Sequence, residues 1–188
     1  MTNYTVVICG APRRARAETK ARNYLVAAAA VPDRGTPAAR RAVRGLLHGA
    51  QRSIHMKTES RARKRAIALA IAGLRDRGVE VLLYDAGRAG TERDRRRRCL
   101  AHLVDDVVDR DGRHVVFDLD DSLRSWDRQQ VIDLCRPKGP SARFTYDHVH
   151  RHHEPLLALP DVVAWCWAAG GEWRTLVRPV VAEVRRID

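Results

Sequence analysis

The chain has 188 residues, 45% of them hydrophobic, and sets 35 Lys plus Arg against 23 Asp plus Glu for a formal net charge of +12. That apolar fraction excludes global disorder, and the length suffices to bury a core as a single domain spanning residues 1–188. No run reaches the roughly 18 apolar residues of a membrane span, and the start lacks a signal-peptide pattern. Cys9, Cys99, Cys135 and Cys166 are scattered without a CxxC pair, so the expectation is a cytoplasmic protein with reduced thiols. Lys20, Lys57, Lys64 and Lys138 are the only lysines, which makes the positive charge almost wholly guanidinium. A GC-rich genome explains Arg over Lys, but not the excess of charge. Guanidinium suits bidentate phosphate contacts, so the implied partner is nucleic acid, RNA or DNA.

In chain order, Tyr4 to Cys9 reads as a β-branched first strand, and Asn23 to Val31 as a second, although its alanines leave a helix open. The basic segment between them carries Arg13, Arg14 and Arg16. Thr36 and Pro37 open a short helix to about His48. Arg52 to Lys57 reads as a third strand, and Ser60 caps a long helix to about Arg77 with Ile67, Ile71 and Leu74 at helical spacing. Val79 to Tyr84 is a buried strand whose flanking helices suggest parallel pairing. Thr91-Glu92 starts a second long helix with Arg95, Arg96, Arg97 and Arg98 in its first turns. Positive charge there opposes the helix dipole, which is tolerated when the arginines meet phosphates; a solvated cluster is the other reading.

Arg113 to Phe117 is an apolar strand that delivers Asp118, Asp120 and Asp121 at its C-terminal end. Ligands of α/β sheets gather at that edge. An acidic surface turn is one reading, and a divalent-metal site is the other, because hard cations take carboxylate oxygens drawn from separate elements. A short helix from Trp126 to Cys135, a strand from Ala142 to Val149, a helix from Glu154 to Ala169 kinked at Pro160, and a last helix from Glu172 to about Arg186 complete the chain as a C-terminal helical extension. His148, His150 and His152 would share one face if the strand continued, enough to hold zinc or manganese, although an exposed polar turn or a phosphate contact is the plainer account of such a run. Trp126 stands beside the acidic strand end, where it could stack a base. No P-loop, GxGxxG or GxSxG motif is present.

Early antiparallel strands, then alternating helices and strands, with acids at strand ends and on a late helix, resemble the ribonuclease H-like (integrase-like) superfamily. More narrowly, His55-Met-Lys-Thr-Glu59, Val115-Val-Phe-Asp-Leu-Asp120 and Tyr146-Asp-His-Val-His-Arg-His-His-Glu-Pro-Leu-Leu-Ala-Leu-Pro-Asp161 are similar to a bacterial domain of unknown function found in mobile and defence loci. The resemblance implies an α/β fold with a mixed sheet and flanking helices. It further implies a nuclease in which Glu59, Asp118, Asp120 and Asp161 hold magnesium or manganese, with His148 or His150 assisting the leaving group. One departure counts against activity: the first strand reads Val6-Val-Ile-Cys9, where the family places an aspartate. Asp85 or Asp121 would have to substitute, or else the fold serves as a non-catalytic nucleic-acid or protein adaptor. On the nuclease reading the four carboxylates converge in one cleft, and their mutual repulsion requires a cation or an arginine among them.

Overall fold

The computed structural model describes residues 3–9 and 23–187. Its centre is a six-stranded sheet in the order β5-β4-β1-β2-β3-β6, formed by β1 (Tyr4–Cys9), β2 (Leu25–Pro32), β3 (Glu80–Asp85), β4 (Gly112–Asp118), β5 (Thr145–Val149) and β6 (Val181–Arg186). β2 runs antiparallel to both β1 and β3, whereas β1–β4, β4–β5 and β3–β6 are parallel. Two reversals cancel, so all strands except β2 point the same way and their C-terminal ends share one rim. The fold class is α/β with a mixed sheet, as the sequence implies.

Helices cover both faces. On one face α1 (Thr36–Arg44), α2 (Arg61–Ala72), α5 (Ala158–Ala169) and α6 (Gly171–Val177) pack on Val7, Ala27, Ala29, Leu83 and Val116. On the other, α3 (Glu92–Asp109) and α4 (Arg124–Cys135) pack on Ile8, Val26, Ala28, Tyr84 and Phe117. Alternate residues of each strand enter opposite cores, as the two-residue side-chain period demands. Every residue of β2 is buried, which explains its alanines: a central strand under helices on both faces has no solvent side, and small side chains let both layers approach.

The caps behave as their residue types require. Ser60 Oγ accepts the Arg63 amide at 3.3 Å at the start of α2. At the start of α3 Thr91 and Asp94 form a reciprocal capping box, with Asp94 Oδ2 accepting the Thr91 amide at 2.9 Å. Gly112 allows the close return from α3 to β4, since a Cβ there would lie 2.8 Å from Val107 Cγ1.

Several elements differ from the sequence expectation. Residues 52–57 form no strand, yet Ile54 and Met56 are buried, so their alternation reports inward-facing loop side chains. α1 ends at Arg44, short of His48. β3 does make the expected parallel pairing, with β6, and is antiparallel to β2 on its other side. Pro160 lies in the first turn of α5, where a missing N–H costs no hydrogen bond and no kink is needed. The expected last helix stops at Val177; Arg178-Pro-Val180 breaks it, and the remainder becomes the edge strand β6 in place of a helical extension. The segment with Arg13, Arg14 and Arg16 lies outside the described residues.

Two charged networks, one buried and one half-buried, lie between α3 and its neighbours. Arg96, 6% exposed, donates from Nε and Nη2 to Asp127 of α4, 1% exposed, at 2.6 Å each. Burial pulls the Arg96 guanidinium down, but Asp127 and the Tyr24 hydroxyl outweigh it and hold it above its ordinary value. Tyr84 donates its hydroxyl to Asp106 at 2.8 Å, and Asp106 pairs with Arg185 of β6 at 3.0 Å. Replacing Asp127 with Ala strands a buried guanidinium, so Asp127→Ala should cost about 3–5 kcal/mol in urea unfolding. The double replacement Arg96→Met, Asp127→Leu should recover most of that loss; a cost equal to the single variant's would show that the pair does more than compensate its own burial.

Candidate functional site

Asp118 is the last residue of β4. Val116 enters the α5 core and Phe117 the α3 core, so alternation turns Asp118 toward the α5 layer. Asp161 occupies the first turn of α5, where the helix dipole favours an acid. Arg151, in the turn after β5, joins the two. Its Nη2 contacts Asp118 Oδ2, and its Nη1 lies 3.5 Å from Asp161 Oδ2. The side chains are 18% (Asp118), 17% (Asp161) and 31% (Arg151) exposed, which places this cluster at the rim of the sheet. Two carboxylates distant in sequence are neighbours through one guanidinium.

Glu59 is engaged by partners of its own. Its Oε1 accepts from Gln51 Nε2 at 2.9 Å and its Oε2 from Arg63 Nε at 3.4 Å. The Gln51 hydrogen bond, with help from Arg63, keeps its carboxyl below the ordinary value. Asp120 shapes the entry to α4: its Oδ1 accepts from the Ser122 amide at 3.0 Å and from the Ser122 hydroxyl at 2.8 Å. Asp85, at the end of β3, accepts from Asn23 Nδ2 at 2.9 Å and from the Gly87 amide at 3.0 Å, and Asp121 is exposed. Among the described residues no group of three His, Cys, Asp or Glu is arranged to hold a metal ion. Asp118 and Asp161 are joined through Arg151, which lies between them.

The histidines divide. His148 pairs in register with Phe117 and stacks on its ring at 5.0 Å, on the α3–α4 face, away from the face of Asp118. Burial lowers its proton affinity below the ordinary 6.5, and its buried Nε2 has no hydrogen-bond partner. β5 stops at Val149, and the chain turns, with the His153 amide donating to His150 O at 2.8 Å. The alternation therefore ends before His150, and the rings that gather are His150, His152 and His153.

The arginines of α3 divide as well. Arg96 is inside, committed to Asp127. Arg95 lies over the Tyr24 ring at 5.6 Å and donates to Arg88 O at 3.0 Å; Arg98 donates to the Ala86 and Ala89 carbonyls at 3.1 and 3.0 Å. Arg93 and Arg97 are the exposed members of the run. Trp126 is half-buried against the α3–α4 core, so only part of its ring is open for stacking. Sequence reasoning did not single out Arg151, although the requirement for a guanidinium among the acids was the signal for it. Glu154, which the sequence places at the entry of α5, accepts from Arg40 Nη2 at 2.6 Å and from the Leu156 amide at 3.0 Å, tying α1 to that entry.

His148 gives the fold a pH signature. Its folded proton affinity lies below 6.5, so between the folded value and 6.5 the unfolded chain binds more protons and stability rises with pH. Acidification through 6.5 should therefore lower the unfolding free energy until the folded value is passed. A His148→Phe variant, stacking on Phe117 without a titrating ring, should lack this part of the acid loss in urea titrations at pH 7.5 and 5.5. Parallel curves for the two proteins would remove His148 as its source.

No protein-family model matches the chain, and a search of curated proteins finds no significantly similar sequence.

Proposed function

We propose that the chain is a nucleic-acid-binding protein of ribonuclease H-like build, with its site at the sheet rim around Asp118, Arg151 and Asp161. The observation that carries the reading is the meeting of Asp118 and Asp161, from a central strand and a late helix, on one guanidinium. The sheet adds support: an antiparallel trio β1-β2-β3, with β4 and β5 appended parallel to β1, agrees with the resemblance in layout. The formal charge of +12 and the exposed Arg93 and Arg97 supply the phosphate attraction. In the enzymatic form of this reading, Asp118 and Asp161 would hold magnesium or manganese in place of their contact with Arg151, and the metal would supply an activated water for phosphodiester hydrolysis.

A second reading keeps the fold and the binding without the chemistry. It is favoured by the absence of an acid from β1, by the engagement of Glu59 with Gln51 and Arg63, and by the cation already lying between the acids. In that form Arg151 is a permanent counter-ion that keeps the two carboxylates from repelling each other and the phosphates.

Cleavage separates the two. Purified protein incubated with single- and double-stranded RNA and DNA, with magnesium or manganese, should degrade at least one substrate in the enzymatic form, and Asp118→Asn and Asp161→Asn should each abolish it. No cleavage of any substrate leaves the non-catalytic form. Binding tests both. Arg93→Gln with Arg97→Gln should weaken affinity alike on all sequences and reduce the slope of log affinity against log salt by about 0.9 per lost contact on duplex DNA. Wild-type protein that binds neither RNA nor DNA at low salt would end the nucleic-acid reading.

A further inference from the structure

Beside the carboxylate pair lies a cavity of about 150 Å³ enclosed by the end of α1, the 52–54 segment and the 151–158 turn into α5. Its floor is apolar, built from the buried Val43, Ile54 and Leu157. Its mouth carries Arg44, Arg52, His152 and His153, with Ser53 as a further polar group and Arg151 on the side of Asp118 and Asp161. No acid is among the described residues that line it. Glu154, the acid in the adjoining turn, is turned to Arg40. Arg44 and Arg52 are exposed and form no ion pair with a described residue. After the cost of burial, the neighbouring His153, Arg52 and His150 add to the lowering of His152's proton affinity, as expected where positive groups crowd without an anion.

We infer that this cavity receives the phosphorylated end of a nucleic-acid strand, a deepening that rests on the nucleic-acid reading above. Size and charge select that ligand. Pockets that take a whole small molecule run to about 300–1,000 Å³, so this one admits a single terminal group. An internal phosphodiester has chain on both sides and stays at the surface. A terminal phosphate monoester has chain on one side, about −1.5 to −2 charge and three acceptor oxygens. Arg44 and Arg52 pair with its oxygens, His152 and His153 donate to it, and the terminal sugar rests on Val43, Ile54 and Leu157. The continuing strand then passes Arg151 and the carboxylate pair.

The test uses the whole chain and fluorescent single-stranded oligonucleotides of one sequence ending in 5′-phosphate, 3′-phosphate or hydroxyl only, at fixed salt. Charge-assisted hydrogen bonds should make one phosphorylated end bind at least about tenfold tighter than the hydroxyl form. The better end identifies the polarity of the strand. Arg44→Gln with Arg52→Gln should erase the preference while leaving the hydroxyl-ended affinity in place. Equal affinity for all three ends would overturn the proposal. NMR titration with a nucleoside monophosphate tests the cavity independently of strand binding. Shifts of the His152 and His153 ring signals, absent in the double variant, support it, and unmoved signals refute it. If those signals shift but no oligonucleotide binds, the nucleic-acid reading falls and with it the strand-end ligand.

Discussion

A single reversed strand governs the layout. Because β2 is antiparallel to both of its neighbours, β3 regains the direction of β1, and the C-terminal ends of β1, β3, β4, β5 and β6 fall on one rim. The strand can hold that central place because it is narrow on both sides. A run from Ala27 to Ala30 leaves room for helices above and below, where bulkier residues would separate the layers. The charged cluster at the rim follows from this arrangement. Asp118 comes from one strand end, Arg151 from the turn after the next, and Asp161 from the helix that turn introduces.

Charge is managed by pairing within the fold as well as by exposure. Arg96–Asp127 joins α3 to α4, Asp106–Arg185 joins α3 to β6, and Arg40–Glu154 joins α1 to the entry of α5. A buried ion pair yields little net stability over apolar packing of the same volume, but it punishes any arrangement that separates the partners. Of the three, only Arg96–Asp127 is buried on both sides and acts in this way on where elements dock; Arg185 and Arg40 stay 30% and 35% exposed. Arg96 is thereby withdrawn from the surface, so the basic surface is smaller than the composition implies.

Strands with a strong apolar character were legible in the sequence, as were the caps at Ser60 and Thr91, because local chemistry decides them. Residues 52–57 were misread because alternation says only that Ile54 and Met56 turn inward, not that a neighbouring strand is there to pair with. β6 was misread for the opposite reason. Its partner β3 is distant in sequence, and only that pairing makes residues 181–186 a strand. At the candidate site, Asp118 and Asp161 could be named from the sequence. Arg151 and the positions of Glu59 and His148 could not, since they depend on where β5 ends and which face each residue takes.

The two edges of the sheet bear on how copies of this chain meet. Among the described residues β5 and β6 each leave one side of backbone hydrogen-bonding groups without a strand partner, the ordinary starting point for sheet-to-sheet association. Both are short, five and six residues, and both bear charge: Asp147 on β5, and Glu183, Arg185 and Arg186 on β6. Aligning two such edges would desolvate charged side chains and bring together two molecules that each carry +12. The excess of arginine thus has a colloidal consequence apart from any ligand: its repulsion opposes the extension of one chain's sheet by another.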